Sequence, residues 1–96
     1  MSTKKSDAFY KKLKVQLEET SNWPTEYLYK FIVTSDTSKV NDIEAIFDNT
    51  GAVIKTKESK NGKYTSVSVN VIMKNPDAVI FKYIEVATQV KDVISL

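Results

Sequence analysis

The chain has 96 residues, a formal net charge of +2 and 42% hydrophobic residues, which suits one domain with a single hydrophobic core. It contains no Cys, no His and no Arg, which excludes a disulfide scaffold, a thiolate metal site and any mechanism that needs a Cys nucleophile or an imidazole base. No segment has the apolar run of a signal peptide or the ~20 apolar residues of a membrane span, so we expect a cytoplasmic protein without a membrane partner.

The N-terminal part of the chain predicts a helix attached to a domain. Residues 1–6 are expected to be flexible, and residues 7–96 are expected to form a single domain. Leu13 and Leu17 recur at helical spacing between lysine and glutamate side chains. We therefore expect an amphipathic helix over 7–20, with its first residue, Asp7, as the N-cap.

The next two elements are a strand and a helix. In the strand Tyr27–Thr34 both alternate sets of side chains are largely apolar, which predicts a central strand with both faces partly covered. The helix after it carries an apolar stripe, made by Val40, Ile43, Ile46 and Phe47. Gly51 is expected to follow this helix as its C′ residue, because glycine adopts positive φ without a steric penalty.

A β-hairpin is the clearest feature of the sequence. Ala52–Lys60 is rich in Lys and weakly apolar, which predicts an edge strand. Lys63–Met73 alternates strictly, and its apolar face is made by Val67, Val69, Val71 and Met73. The turn between the strands contains Asn61-Gly62, which predicts a type I′ turn with positive φ at both residues.

The C-terminal third predicts a second core helix and a last strand. Asn75 is expected to cap the helix, with Pro76 at its first position. The last strand is expected from about Val90 to Leu96. The order strand–helix–strand–strand–helix–strand is that of a ferredoxin-like α+β domain, in which two helices cover one face of a four-stranded antiparallel sheet. The other face stays open unless the helix over 7–20 or a second protomer covers it.

Three segments share a pattern with a known family. They are Trp23-Pro24, Tyr29–Val33 and Ser59–Val69, the last of which reads S-K-N-G-K-Y-T-S-V-S-V. This pattern resembles the YbeD-like family, small bacterial proteins of unknown function, over almost the whole chain. The resemblance implies a fold similar to that of ACT-type regulatory domains, which bind small metabolites, often as dimers, and a suggested role in regulating lipoate metabolism. The glycine-bearing ligand loop of ACT domains is not matched, because residues 34–38 read T-S-D-T-S.

Enzymatic activity is not expected from this sequence. Acylphosphatases share the expected fold, but their chemistry resembles an Arg-plus-Asn site, and this chain has no Arg. The Asp and Glu residues have no recognisable metal-binding spacing, so no catalytic residue, metal or cofactor is assigned. Nucleic acid is an unlikely partner: the segment from Lys60 to Tyr64 echoes the RNP1 motif of an RRM, but its neighbours Ser66, Ser68 and Asn70 cannot stack bases.

The favoured function is a small regulatory or binding domain, with ACT-like metabolite sensing as the first interpretation. The alternative is a protein–protein interaction adaptor that uses the open sheet face or the basic hairpin, and a homodimer is among the expected states. The partner is accordingly a small anionic metabolite or a protein. The candidate binding residues are basic and polar side chains of the hairpin and third strand: Lys57, Ser59, Lys60, Asn61, Gly62, Lys63, Tyr64, Ser66, Ser68 and Asn70. In the simpler interpretation, these lysines serve solubility and the polar residues are the outer half of an alternating strand.

Overall fold

The computed structural model describes residues 3–95, with side chains from residue 8 to residue 95. Its elements, in chain order, are α1 (Thr3–Thr20), β1 (Thr25–Thr34), α2 (Thr37–Ile46), β2 (Val53–Glu58), β3 (Tyr64–Met73), α3 (Pro76–Gln89) and β4 (Ile94–Ser95). Over the described residues the four strands form one antiparallel sheet in the order β2-β3-β1-β4. The fold is therefore α+β, with an edge position for β2 as predicted.

The hydrophobic core lies between one face of the sheet and the helices α2 and α3. The inward side chains of β1 and β3 are fully or almost fully buried, and so are the core residues of the two helices: Tyr29, Phe31, Val33, Val67, Val69, Val71, Ile43, Phe47, Val79 and Val86. The Tyr29 hydroxyl donates a hydrogen bond to the Val79 carbonyl oxygen at 2.9 Å, which satisfies a polar group inside the core. Both helices thus cover the same face of the sheet.

The helix caps agree with the sequence at α3 and differ at α2. Asn75 Oδ1 accepts a hydrogen bond from the Ala78 amide at 2.8 Å, and proline occupies the first turn, so the predicted cap is confirmed. α2 ends at Ile46, and the prediction of Gly51 as its C′ residue is wrong. The Ile46 carbonyl accepts a hydrogen bond from Lys82 Nζ of α3 at 2.7 Å, so a side chain that is distant in sequence caps this helix end.

The hairpin turn is not of type I′. Gly62 has φ +73°, but Asn61 is not among the residues with positive φ. The Gly62 amide donates to the Ser59 carbonyl at 2.8 Å, and Asn61 Oδ1 accepts from the Lys63 amide at 3.0 Å. The side chain of Asn61 therefore closes the turn while its backbone keeps a negative φ. Within the turn, Gly62 is the residue with a left-handed backbone conformation.

The helix α1 packs on the outside of α3. It begins at Thr3, before the predicted start, and the prediction of Asp7 as N-cap is wrong because no helix breaker interrupts the residues before it. Leu17 is buried in the core, and its carbonyl accepts a hydrogen bond from Trp23 Nε1 at 3.1 Å. Lys14 Nζ lies 3.0 Å from an Asp77 carboxylate oxygen. α1 therefore leaves the other face of the sheet uncovered, and Met1 and Ser2 of the predicted flexible terminus lie outside the described residues.

The last strand is shorter than predicted. β4 contains two residues, Ile94 and Ser95, which pair with Ile32 and Phe31 of β1. Val90, the predicted first residue of the strand, is instead the C-cap of α3 and is buried in the core. Leu96, its predicted last residue, lies outside the described residues. Val90 and Val93 pack against the hydrophobic core before the chain enters the sheet.

Candidate binding face

The uncovered side of the sheet is the candidate site, and we call it the open face. The strand register places its side chains in rows across β1, β3 and β2. Asn70 lies between Leu28 and Val53, Ser68 between Lys30 and Lys55, and Ser66 between Ile32 and Lys57. The remaining members of the open face are Glu26, Tyr64, Ile72 and Ile94.

The open face exposes large apolar side chains. Leu28 is 59% exposed, Val53 59%, Ile72 70% and Ile94 53%. The prediction that both faces of the first strand are partly covered is therefore wrong, because the helices of the described residues pack on the opposite face and leave Leu28 exposed. Contiguous exposed apolar groups on a small domain are typical of an interaction surface, whereas single ones are ordinary.

The charges of the open face are mostly positive. Lys30, Lys55 and Lys57 project from it, and Glu26 is the one strand carboxylate on the same side within the described residues. The two ion pairs found among residues 8–95 join helical residues, so these three lysines have no carboxylate within 4.0 Å there. The face thus combines apolar contact area with unneutralised positive charge.

Two shallow depressions divide the open face. The first has a volume of about 370 Å³ and is lined mainly by residues at the far end from the hairpin: Glu26, Leu28, Gly51, Val53, Lys55, Ser68, Asn70, Val71 and Ile72. The second has a volume of about 470 Å³ and lies beside the hairpin, lined by Ile32, Lys57, Glu58, Ser59, Lys60, Tyr64 and Ser66. Both ends are therefore largely apolar, but the far end carries one carboxylate and one lysine, and the end beside the hairpin carries one carboxylate and two lysines.

The structure brings some of the predicted binding residues together and separates others. Five of them share the depression beside the hairpin: Lys57, Ser59, Lys60, Tyr64 and Ser66. Ser68 and Asn70 line the other depression. Asn61, Gly62 and Lys63 form the turn and line neither. The predicted set is thus one side of β3 with its turn, not one pocket.

Three of the predicted polar side chains make contacts inside the turn. Ser59 Oγ donates to Asn61 Oδ1 at 3.0 Å and accepts from the Tyr64 amide at 3.0 Å. Lys63 Nζ lies 5.7 Å from the centre of the Tyr64 ring, within the range of a cation–π contact. Since these groups already stabilise the hairpin, the lysines at 57 and 60 are the better candidates for holding an anion.

The predicted binding residues did not include the apolar members of the face. Leu28 and Val53 flank Asn70 in the same row, and Ile72 is the next outward residue of β3. The alternation of each strand carried the signal, because Leu28, Lys30 and Ile32 share a side. What was lacking was the pairing register, which assembles single apolar residues of different strands into one surface.

The loop between β1 and α2 holds its polar groups in a cap. Asp36 Oδ1 accepts hydrogen bonds from the Ser38 hydroxyl at 2.8 Å and the Ser38 amide at 2.9 Å, and these bonds hold the pKa of Asp36 below its ordinary value. The Ser35 and Thr65 hydroxyls lie 2.9 Å apart. The side chains of this loop, which the sequence comparison set against the ligand loop of ACT domains, stabilise a helix start.

The described residues contain neither a cluster of metal-binding side chains nor a membrane-spanning helix. Among residues 8–95, whose side chains are described, no group of three or more His, Cys, Asp or Glu side chains is placed to hold a metal ion. Across residues 3–95, none of the helices combines the length and apolarity that crossing a bilayer requires.

The chain matches a known family. The model of a family described as a protein of unknown function, DUF493, matches residues 18–93. The chain belongs to the DUF493 family. The YbeD family is known as DUF493, so the resemblance is confirmed at family level. The DUF493 match contains all of the open face except Ile94 and excludes residues 3–17 of α1. Comparisons with curated proteins and with solved structures gave no match.

Proposed function

We propose that this protein is a non-enzymatic interaction domain whose open face binds a protein segment carrying apolar side chains and carboxylates. The observation that carries the proposal is the exposure of Leu28, Val53 and Ile72 on one uncovered sheet face. Burial of such side chains by a partner stabilises a complex by about 25 cal/mol for each Å² of apolar surface removed from water. The area is flat and shallow, which suits a protein surface better than a small molecule.

The charge of the open face favours an acidic partner. Lys30, Lys55 and Lys57 would each gain a carboxylate from such a segment, and the opposite charges would speed association at low salt. A second copy of the chain stacked on this face would bring its own lysines against them, which disfavours a homodimer. An RNA partner is disfavoured because Tyr64 is the one aromatic side chain of the open face, and base stacking needs several.

Capture from a lysate of the organism that makes the protein tests this proposal. The wild-type protein is expected to retain a partner that the double variant Leu28→Ser with Ile72→Ser binds about tenfold more weakly or not at all, because the buried apolar area is lost. Retention should also fall as the salt concentration rises.

The matched control carries Phe81→Ser with Ile84→Ser on α3, where both side chains are likewise exposed. This control is expected to retain the same partner as the wild type. Equal capture by both double variants would contradict binding at the open face.

We also infer a ferredoxin-like fold from the order of the strands in the sheet. β3 lies between β1 and β2, and β1 lies between β3 and β4. In the split β-α-β arrangement each crossover skips one strand in this way.

ACT-like regulation is a second candidate function. It is favoured by the shallow depression of about 470 Å³ beside the hairpin, where two lysines outnumber the one carboxylate, Glu58, and Tyr64 adds an aromatic ring.

Metabolite binding is tested by NMR titration of the ¹⁵N-labelled protein with pooled amino acids, short acyl acids and nucleotides. If a small carboxylate binds at the hairpin, Lys57→Gln with Lys60→Gln should weaken it about tenfold, because both charge-assisted contacts are lost. The matched control is Lys63→Gln, which removes a lysine outside the depression. Unmoved spectra across all pools, or equal weakening by the control, would contradict the metabolite candidate.

A further inference from the structure

We propose that the exposed edge of β2 is the docking point for an extended acidic segment of the partner protein, which adds to the sheet as a fifth strand. This inference rests on the proposed function and specifies how the partner binds. The partner segment is an extended peptide with carboxylates on alternate residues, and not a folded surface that lies across the sheet.

The geometry of the hairpin shows which backbone groups of β2 point outward. The Ser59 amide donates to the Tyr64 carbonyl at 2.7 Å, so Ser59 and Tyr64 form a hydrogen-bonded pair. In an antiparallel ladder such pairs alternate, so Val53, Lys55 and Lys57 also point their backbone groups at β3. Ile54, Thr56 and Glu58 therefore present their amides and carbonyls to the outside, and these groups have no partner among the described residues.

The two edges of the sheet differ in what they offer. β2 has six residues, and all of its side chains except that of Ile54 are exposed. β4 at the opposite edge has two residues, which is too short to hold a peptide. The β2 edge gives an added strand three successive outward hydrogen-bonding residues beside two lysines, whereas the part of β1 that β4 leaves unpaired, residues 26–30, carries one carboxylate and one lysine.

The side chains at this edge define the chemistry of the added strand. Lys55 and Lys57 point to the open face, as does Val53. On a strand paired to the outward residues, the positions opposite these lysines are non-hydrogen-bonded pairs, where opposed side chains come closest. Carboxylates at these two positions would neutralise both lysines, and an apolar residue opposite Val53 would continue the apolar surface of Leu28 and Val53.

A second copy of the chain is a poor occupant of the same edge. Only residues 54, 56 and 58 of β2 direct their backbone hydrogen-bonding groups outward. When β2 strands of two copies pair antiparallel, the two registers with the best overlap are therefore centred on Lys55 or on Thr56. The first would place Lys55 opposite its own copy, and the second would place Lys55 opposite Lys57. Like charges directly opposite each other destabilise a strand pair. The lysines therefore block self-association through β2 and leave the edge open to an acidic strand.

A designed peptide tests the inference on the full chain. The probe is the heptapeptide acetyl-Thr-Glu-Thr-Glu-Thr-Val-Thr-amide, titrated to millimolar concentration into ¹⁵N-labelled protein, and the control peptide has Gln in place of both Glu residues. The amides of Ile54, Thr56 and Glu58 are expected to shift downfield and to exchange more slowly with solvent, while those of Lys55 and Lys57 change little. The Gln peptide should bind at least about fivefold more weakly, because the two charge pairs are lost.

Two variants separate the backbone contribution from the charge contribution. Thr56→Pro removes one outward amide without touching a hydrogen bond to β3, and it should weaken the peptide about tenfold, whereas Thr56→Ala should bind like the wild type. Lys55→Glu with Lys57→Glu keeps the backbone intact and should abolish binding of the acidic peptide. NMR spectra of each variant without peptide verify its fold.

Three results would overturn the edge inference. They are no peptide-dependent shifts at millimolar concentration, equal binding of the Gln peptide, or shifts confined to residues such as Leu28 and Ile72 with undiminished binding to Thr56→Pro. The third result would still leave the open face as the binding surface, so the proposed function would stand. In the converse case, the peptide shifts the amides of the β2 edge, but the double variant Leu28→Ser with Ile72→Ser captures the lysate partner as well as the wild type does. That result would contradict the proposed function and leave the edge inference intact.

Discussion

Replacing Phe31 with alanine is expected to lower the free energy of unfolding by about 3–5 kcal/mol, the largest effect that we anticipate for a single substitution. Phe31 is fully buried at the centre of β1, and its ring lies 5.7 Å from that of Tyr29 and 6.3 Å from that of Phe47. Removing the ring leaves a cavity between the sheet and both core helices, which packed neighbours on three elements cannot collapse to fill. Urea unfolding followed by circular dichroism measures the change.

The control for this substitution is Phe81→Ala on α3. Phe81 is 62% exposed, so its loss should change the free energy of unfolding by no more than about 0.5 kcal/mol. A domain of this size has a total stability of about 5–15 kcal/mol, so the Phe31 variant will be partly unfolded if the protein lies at the low end of that range. A loss below that of the Phe81 variant would show that the core is not where the structure places it.

Stability is expected to fall steeply above pH 10, through two buried tyrosines. Burial is the main cause that raises the pKa of both Tyr29 and Tyr83 well above the ordinary value, and the hydrogen bond between the Tyr83 and Tyr27 hydroxyls contributes at Tyr83. Above pH 10 the unfolded chain loses these two protons and the folded chain keeps them. The unfolded state then binds fewer protons, so the free energy of unfolding decreases as pH rises, by about 1.4 kcal/mol per pH unit for each tyrosine.

This stabilisation is fully present below pH 10, and unfolding curves in urea between pH 8 and pH 11.5 measure its loss. Tyr29→Phe is the informative comparison because phenylalanine cannot ionise, so the slope with pH should fall to about half that of the wild type. The same variant also loses the hydrogen bond to the Val79 carbonyl, which lowers stability at neutral pH by about 1 kcal/mol but does not alter the slope. Equal slopes in the two proteins would mean that Tyr29 ionises as readily in the folded state as in the unfolded one.

The candidate site was only half predictable from the sequence. The polar members of β3, such as Ser66 and Asn70, follow from strict alternation along one strand and were predicted to share a face. Ile72 belongs to the same alternation, whereas Leu28 and Val53 did not follow, because they lie on β1 and β2 and become neighbours of β3 residues only through the pairing register. Lys30 was missed for the same reason, because only the pairing register places it in one row with Ser68 of β3 and Lys55 of β2.

Local sequence determined those features that depend on a few adjacent residues. The hairpin, the alternation of Tyr64–Met73 and the Asn75-Pro76 helix start were all predictable, because turn chemistry, side-chain period and capping act over short distances. Tertiary structure decided the features that depend on contacts between distant residues. Lys82 caps the end of α2 from 36 residues away, and α1 packs on α3 because Leu17 finds core surface there. The sheet therefore keeps one face uncovered, and this outcome depends on which surface buries more apolar area rather than on any local pattern.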